Sequence, residues 1–308
     1  MNVIEVHQLT KDYGGGKGVL DVSFAVERGE VFGFLGPNGA GKTTMLRHLM
    51  GFIRPQSGSA WILNMGCFAQ RAEIQKHLGY LPGETAFMDD MTGWEFIRFI
   101  AKMKGMADLC CAMALMKEFE LDGRLKIRRM SKGTKQKIAI VCAFMHEPEI
   151  LLLDEPTSGL DPLMQNQFVE LVRRAKARGA TILLSSHLFE EVEKTCDRTA
   201  IIRAGRLAAV EDMERLQASR RKLFRVTFED ARHAAACAGQ MERFGIGQGD
   251  IKLHEATLEA AVTGSPDPFI KELSRYTVLD LQARPQTLEE IFLHFYATNS
   301  AEKGGNQK

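Results

Sequence analysis

The chain has 308 residues, and at ~150 residues per domain that length points to about two domains. Hydrophobic residues make up 45%, enough to bury a sizeable core and against a disordered chain. Lys and Arg number 40 against 39 Asp and Glu, a net charge of +1, which argues against wholesale nucleic-acid coating and against a polybasic membrane anchor.

In chain order, Ile4-Glu5-Val6 and Val19–Val26 alternate like strands and predict an antiparallel N-terminal β region. The cluster Gly14-Gly15-Gly16-Lys17-Gly18 between them reads as a turn, with no strand-to-helix context for phosphate binding. Val31–Leu35 is a short apolar run without alternation, as expected of a parallel strand buried on both faces; Ile150–Leu153, Thr181–Leu184 and Thr199–Ile202 look the same. Between them lie helical patterns such as Leu163–Ala177, with Leu163, Phe168, Leu171 and Val172 apolar. Strands alternating with helices predict an α/β fold with a parallel sheet. Residues 88–147 hold no convincing strand and several helical patterns, Trp94, Ile97, Ile100 and Ala101 among them, and read as a helical insert.

Composition shifts near residue 217, where Arg220-Arg221-Lys222 reads as a solvated linker. Beyond it, Phe224, Val226 and Phe228 predict a half-buried strand, and Leu279, Leu281 and Ala283 a second one. Thr287-Leu288-Glu289-Glu290 has the spacing of a capping box, ahead of Leu288, Ile291, Phe292 and Phe295 on one helix face. Residues 220–297 thus read as a small α+β extension, and 298–308 as a polar tail.

The longest runs free of polar, charged, Gly or Pro residues, Leu109–Met116 and Ile138–Met145, are eight residues long, far below the ~18 of a membrane span. Met1–Val6 lacks the basic start and apolar block of a secretory signal. The six cysteines form no C-x-x-C pair, so reduced, packed thiols in a cytosolic chain are expected.

The strongest chemical signal is Gly36-Pro37-Asn38-Gly39-Ala40-Gly41-Lys42-Thr43, followed by Thr44. It matches G-x-x-x-x-G-K-[ST] and stands between a buried strand and a helix starting near Lys42. Glycines let successive N–H groups face one anion, and the helix adds its positive end. Lys42 can then reach the β- and γ-phosphates of ATP, and the Thr43 hydroxyl can ligate Mg²⁺. About 110 residues on, Asp154-Glu155 ends a buried strand where open α/β sheets place ligands. Asp154 suits Mg²⁺, and Glu155 suits orienting or deprotonating an attacking water; alone, the pair reads equally as acids capping a strand end.

Together with Met130-Ser131-Lys132-Gly133-Thr134, Ser158-Gly159-Leu160-Asp161 and His187, these motifs resemble, in the family's order over residues 2–217, the nucleotide-binding subunit of an ATP-binding cassette (ABC) transporter. The resemblance implies a P-loop NTPase (RecA-like) core. It implies that Ser131 and Gly133 contact the γ-phosphate of ATP held by a second nucleotide-binding subunit, and that Asp161 lies in the loop touching that subunit. It implies that His187 reads the γ-phosphate and that Tyr13 stacks on adenine. Read alone, Ser131 is a helix N-cap and His187 and Tyr13 are structural residues. Lys132 and Thr134 depart from the family's usual glycine and glutamine. Gly83, in Gly79-Tyr80-Leu81-Pro82-Gly83-Glu84, stands where the family places a magnesium-touching glutamine, and Glu84 beside it carries a carboxylate able to substitute.

The implied function is an ATPase that dimerises on ATP and powers export through a separate membrane permease, on whose cytoplasmic face it sits. The C-terminal helix resembles extensions of drug and antibiotic exporters. The alternative is an ABC-type ATPase acting on nucleic acid or the ribosome. Its usual marks, paired cassettes, long coiled-coil insertions or zinc cysteines, are absent from the sequence.

Overall fold

In the computed structural model, which describes residues 1–218, 220–243 and 251–291, the chain folds as two compact units, Met1–Met213 and Glu214–Lys308. The first opens with β1 (Asn2–Asp12), β2 (Gly18–Glu27), β3 (Val31–Leu35), α1 (Lys42–Leu49), β4 (Ser57–Ile62), β5 (Met65–Gly66), α2 (Arg71–His77) and β6 (Leu78–Leu81). Then come α3 (Gly93–Met103), α4 (Cys110–Glu118), a 3₁₀ turn at Ile127–Arg129 and α5 (Lys132–Phe144). The unit returns to the sheet with β7 (Ile150–Asp154), α6 (Pro162–Ala177), β8 (Thr181–Ser186), α7 (Phe189–Thr195), β9 (Arg198–Arg203) and β10 (Arg206–Asp212). Helix α8 (Met213–Ala218) follows at the junction of the two units.

Two sheets build this unit. One is antiparallel, in the order β2-β1-β4-β5. The other runs β10-β9-β3-β8-β7-β6, parallel except for the β9–β10 pair. Every residue of β3, β7 and β8 is buried, so the unalternating apolar runs are central strands covered on both faces. Phe32, Phe34, Leu152 and Leu183 share one cluster there, each buried side chain contributing about 1.5–3 kcal/mol. Outside the sheet, the Phe168 ring of α6 meets the Phe144 ring of α5 edge-on at 6.2 Å. The order matters for function. Because β8 lies between β3 and β7, three loops remote in sequence leave the same edge of the sheet side by side.

Between residues 88 and 147 the regular elements are all helical, joined by turns and loops, with one isolated bridge, Thr92 to Lys126. A capping box starts α3: the Thr92 hydroxyl accepts from the Glu95 amide and the Glu95 carboxylate accepts from the Thr92 amide. Helix α6 starts at Asp161, whose carboxylate accepts from the Met164 amide, with Pro162 at the first helical position. Its buried stripe contains Phe168, Leu171 and Val172 as the sequence predicts, but Leu163 is exposed and Met164 takes the inward position. One residue is a 100° turn, enough to swing a side chain off the apolar face.

In the second unit, β11 (Lys222–Phe228), α9 (Ala231–Arg243), β12 (Ile251–His254), β13 (Thr257–Val262), α10 (Asp267–Leu273) and β14 (Val278–Pro285) make an antiparallel sheet ordered β12-β13-β11-β14. Phe224, Val226 and Phe228 are buried as their alternation predicts. The expectation for β14 is overturned: the strand forms, but Leu279, Leu281 and Ala283 are exposed. Leu281 and Ala283 pair with Val226 and Phe224 and so share their face, but β14 is the sheet edge, and α9 packs across β11, β12 and β13. The capping box at Thr287 is present, its hydroxyl accepting from Glu290 while the Glu290 carboxylate accepts from Thr287. Phe292, Phe295 and residues 298–308 lie outside the described residues. All six cysteines are unpaired, and among the described residues no helix is long and apolar enough to cross a membrane.

Candidate functional site

The loop after β3 turns back beneath α1. Gly41 caps α1 at φ 112°, and a Cβ there would stand 2.4 Å from the Gly18 carbonyl oxygen, so neither the backbone angle nor the space admits a side chain. The Lys42 side chain is buried and curls inside the loop: its Nζ donates to the Gly36 carbonyl at 2.6 Å and the Pro37 carbonyl at 3.3 Å. Glu155 Oε1 lies 3.0 Å from the same Nζ as an ion pair without accepting a hydrogen bond from it.

Glu155 follows β7 in a left-handed conformation, φ 48°, an unusual state for a residue with a side chain. Its amide donates to the Ser185 carbonyl at 3.1 Å, which ties the turn to β8. The second carboxylate oxygen, Oε2, lies 2.5 Å from His187 Nδ1. One carboxylate thus joins the loop after β3 to the loop after β8. Such a carboxylate, held by a lysine and a histidine beside an anion-binding loop, can take a proton from a water.

Asp154, one residue earlier, is buried; its Oδ1 accepts from the Ser185 hydroxyl and its Oδ2 has no hydrogen-bond partner. Burial, with the Asp154 charge adding to it, pushes the neighbouring Tyr80 hydroxyl up to about 12. Gly83 packs on the same carboxylate, and a Cβ there would stand 3.2 Å from Oδ2. Glu84 is exposed and is not among the residues lining the cavity described next.

A cavity of about 380 Å³ opens over the loop, lined by Tyr13, Asn38, Gly39, Gly41, Lys42, Thr43, Thr44 and Glu155. Gly36 and Pro37 face it only through Lys42, and Ala40 is buried behind it. Tyr13 is 53% exposed, with Lys11 Nζ over its ring 5.5 Å from the centroid. Lys17 and Gly18 also line the wall. The glycine cluster is a turn, as its residues predict, and it closes with the Tyr13 amide donating to the Lys17 carbonyl at 2.9 Å. That closure delivers a lysine to the cavity, which the sequence reading missed.

Ser131, Gly133 and Asp161 do not line this cavity; Ser131 and Asp161 are N-caps of α5 and α6, each accepting a backbone N–H bond. The two loops that carry these residues touch each other. A Cβ on Gly133 would stand 2.5 Å from the Gly159 carbonyl oxygen, and Lys132 Nζ donates to the Ser158 hydroxyl at 2.9 Å. Gln136 of α5, buried, donates to the Pro156 carbonyl at 2.7 Å and so ties α5 to the turn after Glu155. No motif marks Gln136 or Ser185; both act through partners some 20 to 31 residues away.

Among the described residues no cluster of three or more His, Cys, Asp or Glu side chains could hold a metal ion. What the site offers is a hard oxygen pair, the orphaned Asp154 Oδ2 and the exposed Thr43 hydroxyl. That set fits Mg²⁺, which binds through one or two protein oxygens plus phosphate and water.

Residues 19–158 match the family model described as ABC transporter. The bacitracin transport ATP-binding protein BcrA of Bacillus licheniformis is 34% identical over 241 residues, covering 77% of this chain and 79% of that protein. The ABC transporter ATP-binding protein NatA of Bacillus subtilis is 38% identical over 211 residues, covering 67% of this chain and 86% of that protein. A probable multidrug ABC transporter ATP-binding protein, YbhF of Escherichia coli, is 36% identical over 212 residues, and the chain spans only 36% of its length. Among solved structures, an ATP-binding subunit of an ABC transporter is 33% identical with a TM-score of 0.63, over 70% of this chain and 92% of that one. A dimeric cassette bound to ADP and Pi, 22% identical with a TM-score of 0.62 over 68% of this chain and 98% of that one, shares the fold.

Proposed function

Because the chain belongs to the ABC transporter family of ATP-binding proteins, we propose that it binds and hydrolyses ATP to drive export through a separate membrane permease. The carrying observation is the Glu155 carboxylate, 3.0 Å from Lys42 Nζ and 2.5 Å from His187 Nδ1 at the mouth of the Gly36–Thr43 loop. In this reading Tyr13 stacks on adenine, and the loop amides with Lys42, Thr43 and Thr44 cradle the phosphates. Thr43 and Asp154 would hold Mg²⁺, which would neutralise charge on the phosphate oxygens. Glu155 accepts a proton from the water that attacks the γ-phosphorus, giving ADP and inorganic phosphate, and His187 orients Glu155.

Ser131, Gly133 and Asp161 stand apart from the chain's own cavity, which supports their serving ATP held by a second subunit. Two chains, each with one phosphate loop, then sandwich two nucleotides, and hydrolysis releases the pair. Residues 1–217 form this cassette and 220–297 an appendage to it.

The permease reading draws on a groove of about 270 Å³ between the sheet and the helical insert. Apolar side chains line much of it, among them Phe52, Tyr80, Pro82, Phe96 and Ile100. Phe52 is exposed and meets Tyr80 edge-on at 6.0 Å. An exposed aromatic beside a groove of this kind suits a short amphipathic segment of a membrane subunit better than nucleic acid. The chain is then peripheral on the cytoplasmic face of the membrane.

Two measurements test this: phosphate release from ATP by the purified chain, and identification of what crosslinks to Phe52-region variants in membranes. Mg²⁺-dependent hydrolysis and capture of a polytopic permease support the proposal. Capture of ribosomes or nucleic-acid complexes would favour the alternative.

A further inference from the structure

Behind His187 lies a buried acid that the mechanism above does not use. Glu191, on α7, is 7% exposed. Its Oε2 accepts from the Ser186 hydroxyl, and its Oε1 is buried without a hydrogen-bond partner. Ser186 is the last residue of β8, directly before His187, and its Oγ also accepts from the Leu188 amide at 3.0 Å. The two bonds together hold the residues on either side of His187. Glu191 itself is anchored on α7, where Thr195 Oγ1 donates to its carbonyl at 2.7 Å.

We propose that Glu191 is a positioning residue for ATP hydrolysis: its carboxylate fixes the Ser186 hydroxyl, and through it the turn that presents His187 to Glu155. The inference rests on the ATPase reading above.

The direction of one proton decides how the Ser186 hydroxyl is held. Ionised, Glu191 accepts from the Ser186 hydroxyl, which points that hydroxyl at the carboxylate while its oxygen accepts from the Leu188 amide. Protonated, Glu191 becomes a donor toward the same oxygen, and the Ser186 hydroxyl, its acceptor lost, turns toward the Leu188 carbonyl 3.5 Å away. Burial pushes the Glu191 carboxyl up to about 7, so both forms occur near neutrality. Among the groups facing it, Ser186, Thr157 and His187 favour the ionised form and Glu155 opposes it. The buried Cys196 thiol beside it is held far up by burial and stays neutral.

The test compares steady-state hydrolysis by the full-length wild-type, Glu191→Ala and Glu191→Gln chains from pH 6 to 8, with the melting temperature of each. Glutamine keeps an oxygen to accept from Ser186 but has no proton to gain; alanine leaves Ser186 unanchored. Glu191→Ala should lower kcat by about 10-fold or more with KM for ATP within about twofold, since the phosphate loop is untouched. Glu191→Gln should restore kcat to within about threefold at pH 8 and show a shallower fall toward pH 6 than wild type. A wild-type kcat in Glu191→Ala overturns the inference. So does a Glu191→Gln profile superimposable on wild type, a comparison that stands even where the alanine variant fails to fold. Parallel losses of kcat, KM and melting temperature in both variants reduce Glu191 to a packing residue and equally overturn it. A wild-type chain that folds, binds ATP and hydrolyses none overturns the ATPase reading, and this inference with it.

Discussion

Replacing Glu155 with glutamine removes the negative charge that Lys42 faces when no nucleotide is bound. At 3.0 Å and an effective dielectric near 20, the Glu155–Lys42 attraction is about 5–6 kcal/mol before desolvation. Desolvation offsets most of it, because the Lys42 and Glu155 side chains are only 6% and 19% exposed. A net loss of about 1–3 kcal/mol is therefore expected in the empty state, where Lys42 keeps its two carbonyl acceptors and gains only a neutral amide. ATP brings negative charge of its own to Lys42. The nucleotide-bound state is therefore spared that loss, and ATP affinity should rise by up to about tenfold, or ~1.4 kcal/mol. Hydrolysis should fall by about 10²–10⁴, the usual share of a general base. Phosphate release, equilibrium binding of ATP and sedimentation of the chain with ATP read these effects separately. The expected result is slow turnover, tight ATP and an accumulating dimer. Unchanged hydrolysis would refute the role of Glu155, and weaker ATP binding would refute the competition between carboxylate and phosphate for Lys42.

Three further outcomes follow from the same geometry. Lys42→Ala empties the centre of the loop and should lower turnover by about 10²-fold or more with weakened ATP binding, checked by the same two assays. Gly83→Ala places a methyl 3.2 Å from Asp154 Oδ2, tighter than an ordinary contact, and should raise the Mg²⁺ concentration for half-maximal hydrolysis by about 3- to 10-fold with little change in melting temperature. Glu191→Gln should alter the pH dependence of stability. The folded chain raises the Glu191 carboxyl from 4.5 to about 7, so its stabilising contribution is complete below about pH 4.5 and lost as pH rises through 7. The glutamine variant cannot ionise, and relative to wild type it should gain up to about 3 kcal/mol between pH 5 and 8 by thermal melts; a difference flat in pH would contradict this.

Two kinds of information meet in this site. The Gly36–Thr43 loop and the Asp154–Glu155 pair are legible in the chain because their chemistry is local. That glycine spacing lets consecutive amides surround a phosphate, and an acid at the end of an apolar run emerges where the strand leaves the sheet. The buried runs of β3, β7 and β8, the cap at Ser131 and the capping box at Thr287 are local in the same sense. What the chain could not show is which loops meet. His187 and Glu155 are 32 residues apart, and Ser185 and Asp154 are 31 apart. These pairs come together because β8 inserts between β3 and β7. Lys17 reaches the cavity because a turn of glycines folds it there, and Gly83 matters because Asp154 fills the space where its side chain would be. Leu279 and Leu281 alternate like core residues yet stay exposed, since strand order places β14 at the edge. Residue type and spacing along the chain therefore determined which groups can bind phosphate or move a proton. Strand order and burial, which depend on contacts between distant segments, decided which of them stand within 3 Å of one another.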